Sequence, residues 1–212
     1  PISEKWDNFE PRESQVRFSV DTAKAFQDKK VLLAEAGTGL GKTLAYLAAG
    51  IFHKIQSKIS LVISTYTKNL QDQLFYKDIP NLTKVLGIDI KAVLYKGRHN
   101  YLCRTRLKYV LQHNKSLLSD SECELLLSII VWKEYTDSGD IADCHGFRMM
   151  HMPRVWMLIR SETGYCTLRK CKEWNGCFLS NIRDSVLNAD IIVVNHSLFL
   201  AHLNTVDQLL PK

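Results

Sequence analysis

The stretch 31–57 narrows the possible folds more than any other part of the chain. A short apolar run, Val31-Leu32-Leu33-Ala34, leads into Glu35-Ala36-Gly37-Thr38-Gly39-Leu40-Gly41-Lys42-Thr43, and Leu44, Leu47, Ala48 and Ile51 then follow at helical spacing. A strand, a glycine-rich turn and a helix in that order make a phosphate-cradling loop. Glycines let the backbone take positive φ and approach an anion closely, so that successive N–H groups and the helix N-terminus converge on it. In such a loop Ala36, Gly37, Thr38, Gly39, Leu40 and Gly41 wrap the phosphates. Lys42 reaches the β and γ oxygens, and the Thr43 hydroxyl coordinates Mg²⁺. Ala36 stands where the usual pattern has its first glycine. An incidental glycine-rich turn would require neither the strand before it nor the helix after it.

The rest of the chain repeats this alternation. Val16, Val20, Ala23 and Phe26 predict an amphipathic helix over residues 12–27, and helices are also predicted over 67–76 and 122–135. Leu61-Val62-Ile63-Ser64-Thr65, Ala92-Val93-Leu94 and Ile191-Ile192-Val193-Val194 read as further buried strands. The expected class is therefore α/β, a mostly parallel sheet flanked by helices with right-handed crossovers. Between the last two strands lies a long stretch of different character that holds all six cysteines. It reads as an inserted, mainly helical domain, which divides the chain into 1–97, 98–180 and 181–212. The insert is expected to be too poor in apolar residues to hold together without a metal tie.

Composition sets the surroundings. A hydrophobic share of 46% with 24% charged residues is that of a globular chain, not a disordered one. Lys and Arg outnumber Asp and Glu by 28 to 22, and the resulting charge of +6 suits a polyanionic partner. Apolar runs reach only about nine residues against the roughly 20 of a membrane span, so no membrane association is expected. The first residues, Pro1-Ile2-Ser3-Glu4-Lys5-Trp6, have no basic-then-apolar pattern, which points to a cytosolic protein. Cysteines in that compartment argue for metal or redox chemistry over disulfides. Nothing sets an oligomeric state, and a monomer is the default expectation.

Four further blocks stand in fixed order around the phosphate loop. They are Arg12-Glu13-Ser14-Gln15, the run from Ser64-Thr65-Tyr66-Thr67-Lys68-Asn69 through Leu70-Gln71-Asp72-Gln73-Leu74, Lys96-Gly97-Arg98-His99-Asn100-Tyr101-Leu102-Cys103, and Ala189-Asp190-Ile191-Ile192-Val193-Val194-Asn195-His196-Ser197-Leu198. Together with the loop they resemble the DinG and XPD family of superfamily 2 helicases, over residues 9–203. The resemblance implies a RecA-like P-loop NTPase domain, with ATP and Mg²⁺ bound by the loop and adenine recognised by Gln15. It implies that Thr65, Tyr66, Lys68 and Asn69, with Arg98, lie against single-stranded or forked DNA, and that the intact protein unwinds duplexes 5′ to 3′. The family's Asp-Glu-Ala-His motif, source of the Mg²⁺-binding aspartate and the water-activating glutamate, occurs nowhere in this chain. Asp190 precedes its strand and Asn195 is neutral, so neither replaces it. The chain is accordingly expected to be the N-terminal part of a longer protein, able to bind nucleotide but not to turn it over.

Cys103 is separated from Cys166 by 62 residues, Cys166 from Cys171 by four and Cys171 from Cys177 by five. Four thiolates suit a [4Fe-4S] cluster, and by spacing alone Zn²⁺ equally. The resemblance selects the cluster. Cys123 and Cys144 fall outside the pattern and read as ordinary thiols. Arg98, Arg104, Arg106, Lys108, Arg169, Lys170 and Lys172 either line a positive passage, with Tyr101, Tyr165 or Trp174 as stacking faces, or form a solvated basic face over core aromatics. His99, His145, His151 and His196 show no ligand spacing and are given no chemical role. The competing reading for the whole chain is a non-enzymatic nucleic-acid-binding module with a retained P-loop and a structural zinc or iron-sulfur site.

Overall fold

A computed structural model describes residues 12–37, 39–147, 153–166, 176–204 and 210–211. The chain divides into two compact units, Pro1–Tyr95 with Val186–Lys212, and Lys96–Ser185.

The first unit is α/β. Helix α1 (Glu13–Asp28) and helix α2 (Lys42–Ser57) pack on each other, and β1 (Leu61–Thr65) follows. Helix α3 (Lys68–Gln73) runs through a π turn (Leu74–Asp78) into α4 (Ile79–Leu86), and β2 (Ala92–Leu94) comes next. The π turn lies just ahead of Pro80, which has no N–H to return to the carbonyl one turn back, so the ladder widens there. The chain re-enters the unit with β3 (Ile191–Asn195) and the helix that starts at His196. The sheet order is β1-β3-β2 and both pairings are parallel, with Ile63 and Leu94 each opposite Val193. Ile191, Ile192, Val193 and Val194 are all fully buried, as a strand covered on both faces requires. Leu47, Ile51, Ile63, Leu74 and Leu82 complete that core.

Helix α2 comes so close to β1 that a Cβ on Gly50 would stand 2.6 Å from a Leu61 methyl, which is why the helix tolerates a glycine there. At the lower end of the sheet Lys54 meets Asp190 at 2.8 Å, and the same carboxylate accepts from the Lys91 N–H. Burial works against that carboxylate's charge, but these partners outweigh it and hold Asp190 below the usual carboxylate range. Asp190 is thus a structural anion in this unit.

One expectation fails here. Val31-Leu32-Leu33-Ala34 is not a strand: Val31 and Leu33 are 98% exposed. A strand persists only through its ladder, and no strand among the described residues lies beside this one. Helix α1 forms where predicted, and Val16 and Val20 of its apolar stripe stay about half exposed. Phe26 alone of that stripe makes a ring contact, stacking on His53 at 4.8 Å.

The second unit is helical. It contains α5 (Arg104–Gln112), α6 (Asn114–Leu117), α7 (Asp120–Trp132), α8 (Pro153–Ile159) and α9 (Phe178–Leu187), and the first unit's last helix is α10 (His196–Asn204). Ser119 caps α7 through a reciprocal capping box with Glu122, whose carboxylate also takes a forked hydrogen bond from Arg154 at 2.7 Å. Leu107, Val110, Leu126, Ile129, Val155 and Trp156 form a core of their own. The expectation that the insert is poor in apolar residues is therefore corrected, since its helices bury a continuous cluster. Lys96 and Asp140 are buried together at 2.6 Å, beside the antiparallel bridge of Tyr101 to Asp140.

Candidate functional site

The phosphate loop is built as its residue types require. Gly41 is the N-cap of α2 with φ 72°, and Gly39 has φ 79°, a region glycine enters without the Cβ penalty. The Lys42 ammonium donates to the carbonyls of Ala36 at 2.6 Å and Gly37 at 2.9 Å, which draws the loop around it. Thr43 hydrogen-bonds the Tyr46 hydroxyl; burial pushes that phenol up and the Thr43 bond pulls it back. Thr38 lies outside the described residues.

Two side chains of the preceding helix tie themselves to this loop. The Gln15 amide donates to the Gly41 carbonyl at 3.1 Å, and the Arg12 guanidinium donates to the Gly39 carbonyl. A Cβ at Gly41 would collide with Gln15, so only glycine admits this contact. A cavity of about 390 Å³ opens between α1 and the loop, lined among others by Gln15, Arg17, Glu35, Gly37 and Lys42. That volume suits a nucleotide-sized ligand. Sequence reasoning marked Gln15 but gave Arg12 no role, although its place in the same short element was a signal.

The turn after β1 separates what sequence grouped together. Thr65 is 4% exposed and donates to the Thr67 carbonyl, so it supports the turn from within and presents nothing to a ligand. Tyr66, Lys68 and Asn69 are exposed, with Tyr66 at 84%. Thr67 caps α3 by accepting from the Leu70 N–H. Asn195, at the end of β3, likewise caps α10 by accepting from Leu198 N–H, and His196 hydrogen-bonds Ser64 at 2.7 Å.

In the second unit the structure brings Cys103 and Cys166 side by side across 62 intervening residues. Proximity to Cys103 pulls Cys166 down to about 5 against its burial, helped by the Glu162 N–H, Ser161 and the Arg98 charge, while Cys103 is pushed up. Cys103 is the N-cap of α5, where backbone N–H groups of Thr105 and Arg106 point at its sulfur. Cys177 immediately precedes α9, and the neighbouring Gly176 packs so closely on the Arg104 guanidinium that a Cβ there would stand 2.6 Å from it. Cys171 lies outside the described residues, as do Arg169, Lys170, Lys172 and Trp174; among the described residues no three metal-ligating side chains converge. Two adjacent sulfurs with a depressed thiolate fit metal or cluster ligation. Cys144, 4% exposed, belongs to the apolar core, and burial pushes its thiol up.

The proposed basic passage is corrected in part. Arg104 lies over the Phe178 ring at 4.4 Å, while Arg106 donates to the Leu158 and Met157 carbonyls and lies over Tyr165 at 4.8 Å. Tyr101 is 1% exposed, its hydroxyl accepting from the Lys96 N–H. Tyr101, Arg104 and Arg106 hold the unit together, while Tyr165 and Lys108 are exposed. His99, assigned no role from sequence, pairs with Glu162 at 2.8 Å.

No known protein-family profile matches the chain. Individual proteins do. The chain is 37% identical over 207 residues to the ATP-dependent DNA helicase YoaA of Haemophilus influenzae, covering 95% of this chain and 30% of that protein. Several of its sequence relatives are named ATP-dependent DNA helicases. The ATP-dependent DNA helicase DinG of Photobacterium profundum is 29% identical over 95% of this chain and 31% of its own length, and a Bacillus subtilis protein named 3′-5′ exonuclease DinG is 27% identical over all of this chain and 22% of its own. The chain thus spans about a third or less of the DinG-like relatives it matches. Among the described residues no helix is long and apolar enough to cross a membrane.

Proposed function

We propose that this chain is the nucleotide-binding and insert-bearing part of an ATP-dependent DNA helicase of the DinG type, acting in the cytosol. The observation that carries the reading is the loop itself. Gly39 and Gly41 take positive φ, Gly41 caps the N-terminus of α2 and the Lys42 ammonium closes on the loop carbonyls, with Gln15 tied to the same loop, in a chain with relatives named helicases. ATP with Mg²⁺ is the ligand. Lys42 steadies charge on the transferred phosphoryl group, and the Thr43 hydroxyl binds the metal.

The segment after β1 then faces single-stranded or forked DNA through Tyr66, Lys68 and Asn69, with Arg98 as a further basic contact. Cys103, Cys166, Cys171 and Cys177 would hold a [4Fe-4S] cluster, whose contribution is to cross-link distant parts of the insert. ATP binding and hydrolysis drive translocation 5′ to 3′, and residues 98–180 form the cluster domain within a RecA-like motor domain. In the intact protein Lys42→Ala is expected to reduce ATP hydrolysis and strand separation by at least about a hundredfold, the scale on which one transition-state donor is felt. Unwinding at the wild-type rate by that variant would remove the helicase reading.

A further inference from the structure

His196 has a local arrangement that the turn at the end of β3 does not need. Ser64 and His196 are 132 residues apart in sequence, and adjacent parallel strands bring them together with Ser64 Oγ 2.7 Å from His196 Nδ1. The neighbouring turn is already capped by Asn195, whose amide oxygen accepts from Leu198 N–H at 2.7 Å. The imidazole is therefore free of that duty. When the serine hydroxyl is the donor, Nδ1 is bare and the ring proton sits on Nε2. His196 is exposed, and no described residue takes that second nitrogen.

Beside it stands a large ring in solvent. Tyr66 is 84% exposed, with its centroid 6.2 Å from that of His196 at a tilt of 46°. An aromatic ring left this exposed gains nothing from the fold. Lys68 and Asn69, also exposed, begin α3 two residues further on. A groove of about 550 Å³ along β1 ends at this cluster, with Tyr66 and His196 in its wall. A stacking face, a fixed N–H donor and a cation within one turn are the chemistry that binds single-stranded nucleic acid, base on ring and phosphate on donor.

We propose that His196, oriented by Ser64, is a nucleic-acid contact: its Nε2–H binds a backbone phosphate while Tyr66 stacks on an adjoining base. Ser64 touches no nucleotide and acts through the imidazole as a positioning residue. This deepens the helicase reading and rests on it.

The test uses the intact protein and a fluorescently labelled oligothymidylate, with binding followed by anisotropy at fixed salt. His196→Ala is expected to weaken binding about tenfold, the loss of one hydrogen bond to a charged oxygen. His196→Gln, which places an amide donor near the Nε2 position, should recover most of that loss. Ser64→Ala should show a smaller loss, and adding it to His196→Ala should change nothing further, because the serine works only through the ring. ATP affinity measured without DNA and the melting temperature should stay at their wild-type values. Wild-type DNA affinity in His196→Ala overturns this inference and leaves the helicase reading standing. A lowered melting temperature with no recovery by glutamine reduces the pair to a structural contact and also overturns it. Failure of the wild-type protein to bind the oligonucleotide sinks both.

Discussion

Lys42 has three protons to give and spends two on the carbonyls of Ala36 and Gly37, so one remains for an anion without disturbing the loop. The sulfurs are arranged with similar economy. Proximity to Cys103 pulls Cys166 down and pushes Cys103 up, and a cluster would take both sulfurs as thiolates. Cys103→Ser or Cys166→Ser in the intact, anaerobically purified protein is therefore expected to abolish stoichiometric iron and sulfide. Cys144→Ser should keep both even though a hydroxyl in the apolar core lowers stability. Zinc at full occupancy with no iron in the wild type would reject the cluster and leave the thiolate site intact.

Among the elements, α7 is the one whose ends are most clearly set by side chains. Its capping box satisfies N–H groups at the helix start, and Ser119→Ala is expected to lower stability by about 1 kcal/mol in thermal unfolding of the intact protein. The Arg154 bond first, and the Ser119 N–H next, hold the Glu122 carboxyl below its usual range. A depressed carboxyl adds stability that is complete above its unfolded value, about pH 4.3, and is lost as pH falls toward its folded value. Glu122→Gln should flatten that acid limb of the stability profile while leaving its neutral shape alone; an unchanged acid limb would refute the linkage. The helix was predicted over 122–135 and runs Asp120–Trp132. The Ser-x-x-Glu spacing at Ser119 and Glu122 is the start signal that the reading by periodicity passed over.

At the scale of the molecule, each unit has its own buried cluster, and the charge of +6 bears on both. The exposed cation that the structure leaves beside Tyr66 is Lys68, whereas Arg104 and Arg106 are committed to packing. Binding of single-stranded DNA by the intact protein should weaken steeply with salt. Lys68→Ala should lower the slope of log affinity against log salt by about 0.7, the share of one phosphate on a single strand. Affinity independent of salt would contradict a phosphate-reading surface.

What the amino-acid order determined alone is what short windows encode. The loop with its positive-φ glycines, the helix behind it and the strands at 61–65, 92–94 and 191–194 all follow from local periodicity and residue type. The parallel sheet class followed as well, since apolar strands alternating with helices have few other ways to be buried. Tertiary structure decided everything that depends on a partner far along the chain. Val31-Leu32-Leu33-Ala34 has the composition of a strand but no strand alongside, and a ladder cannot be formed by one side. Thr65 and Tyr66 are neighbours, yet alternation along the chain end buries one and exposes the other. The meeting of Cys103 with Cys166, and of Ser64 with His196, likewise appears only when helices and strands are packed, because side-chain contact is set by where the backbone returns and not by what lies next in sequence.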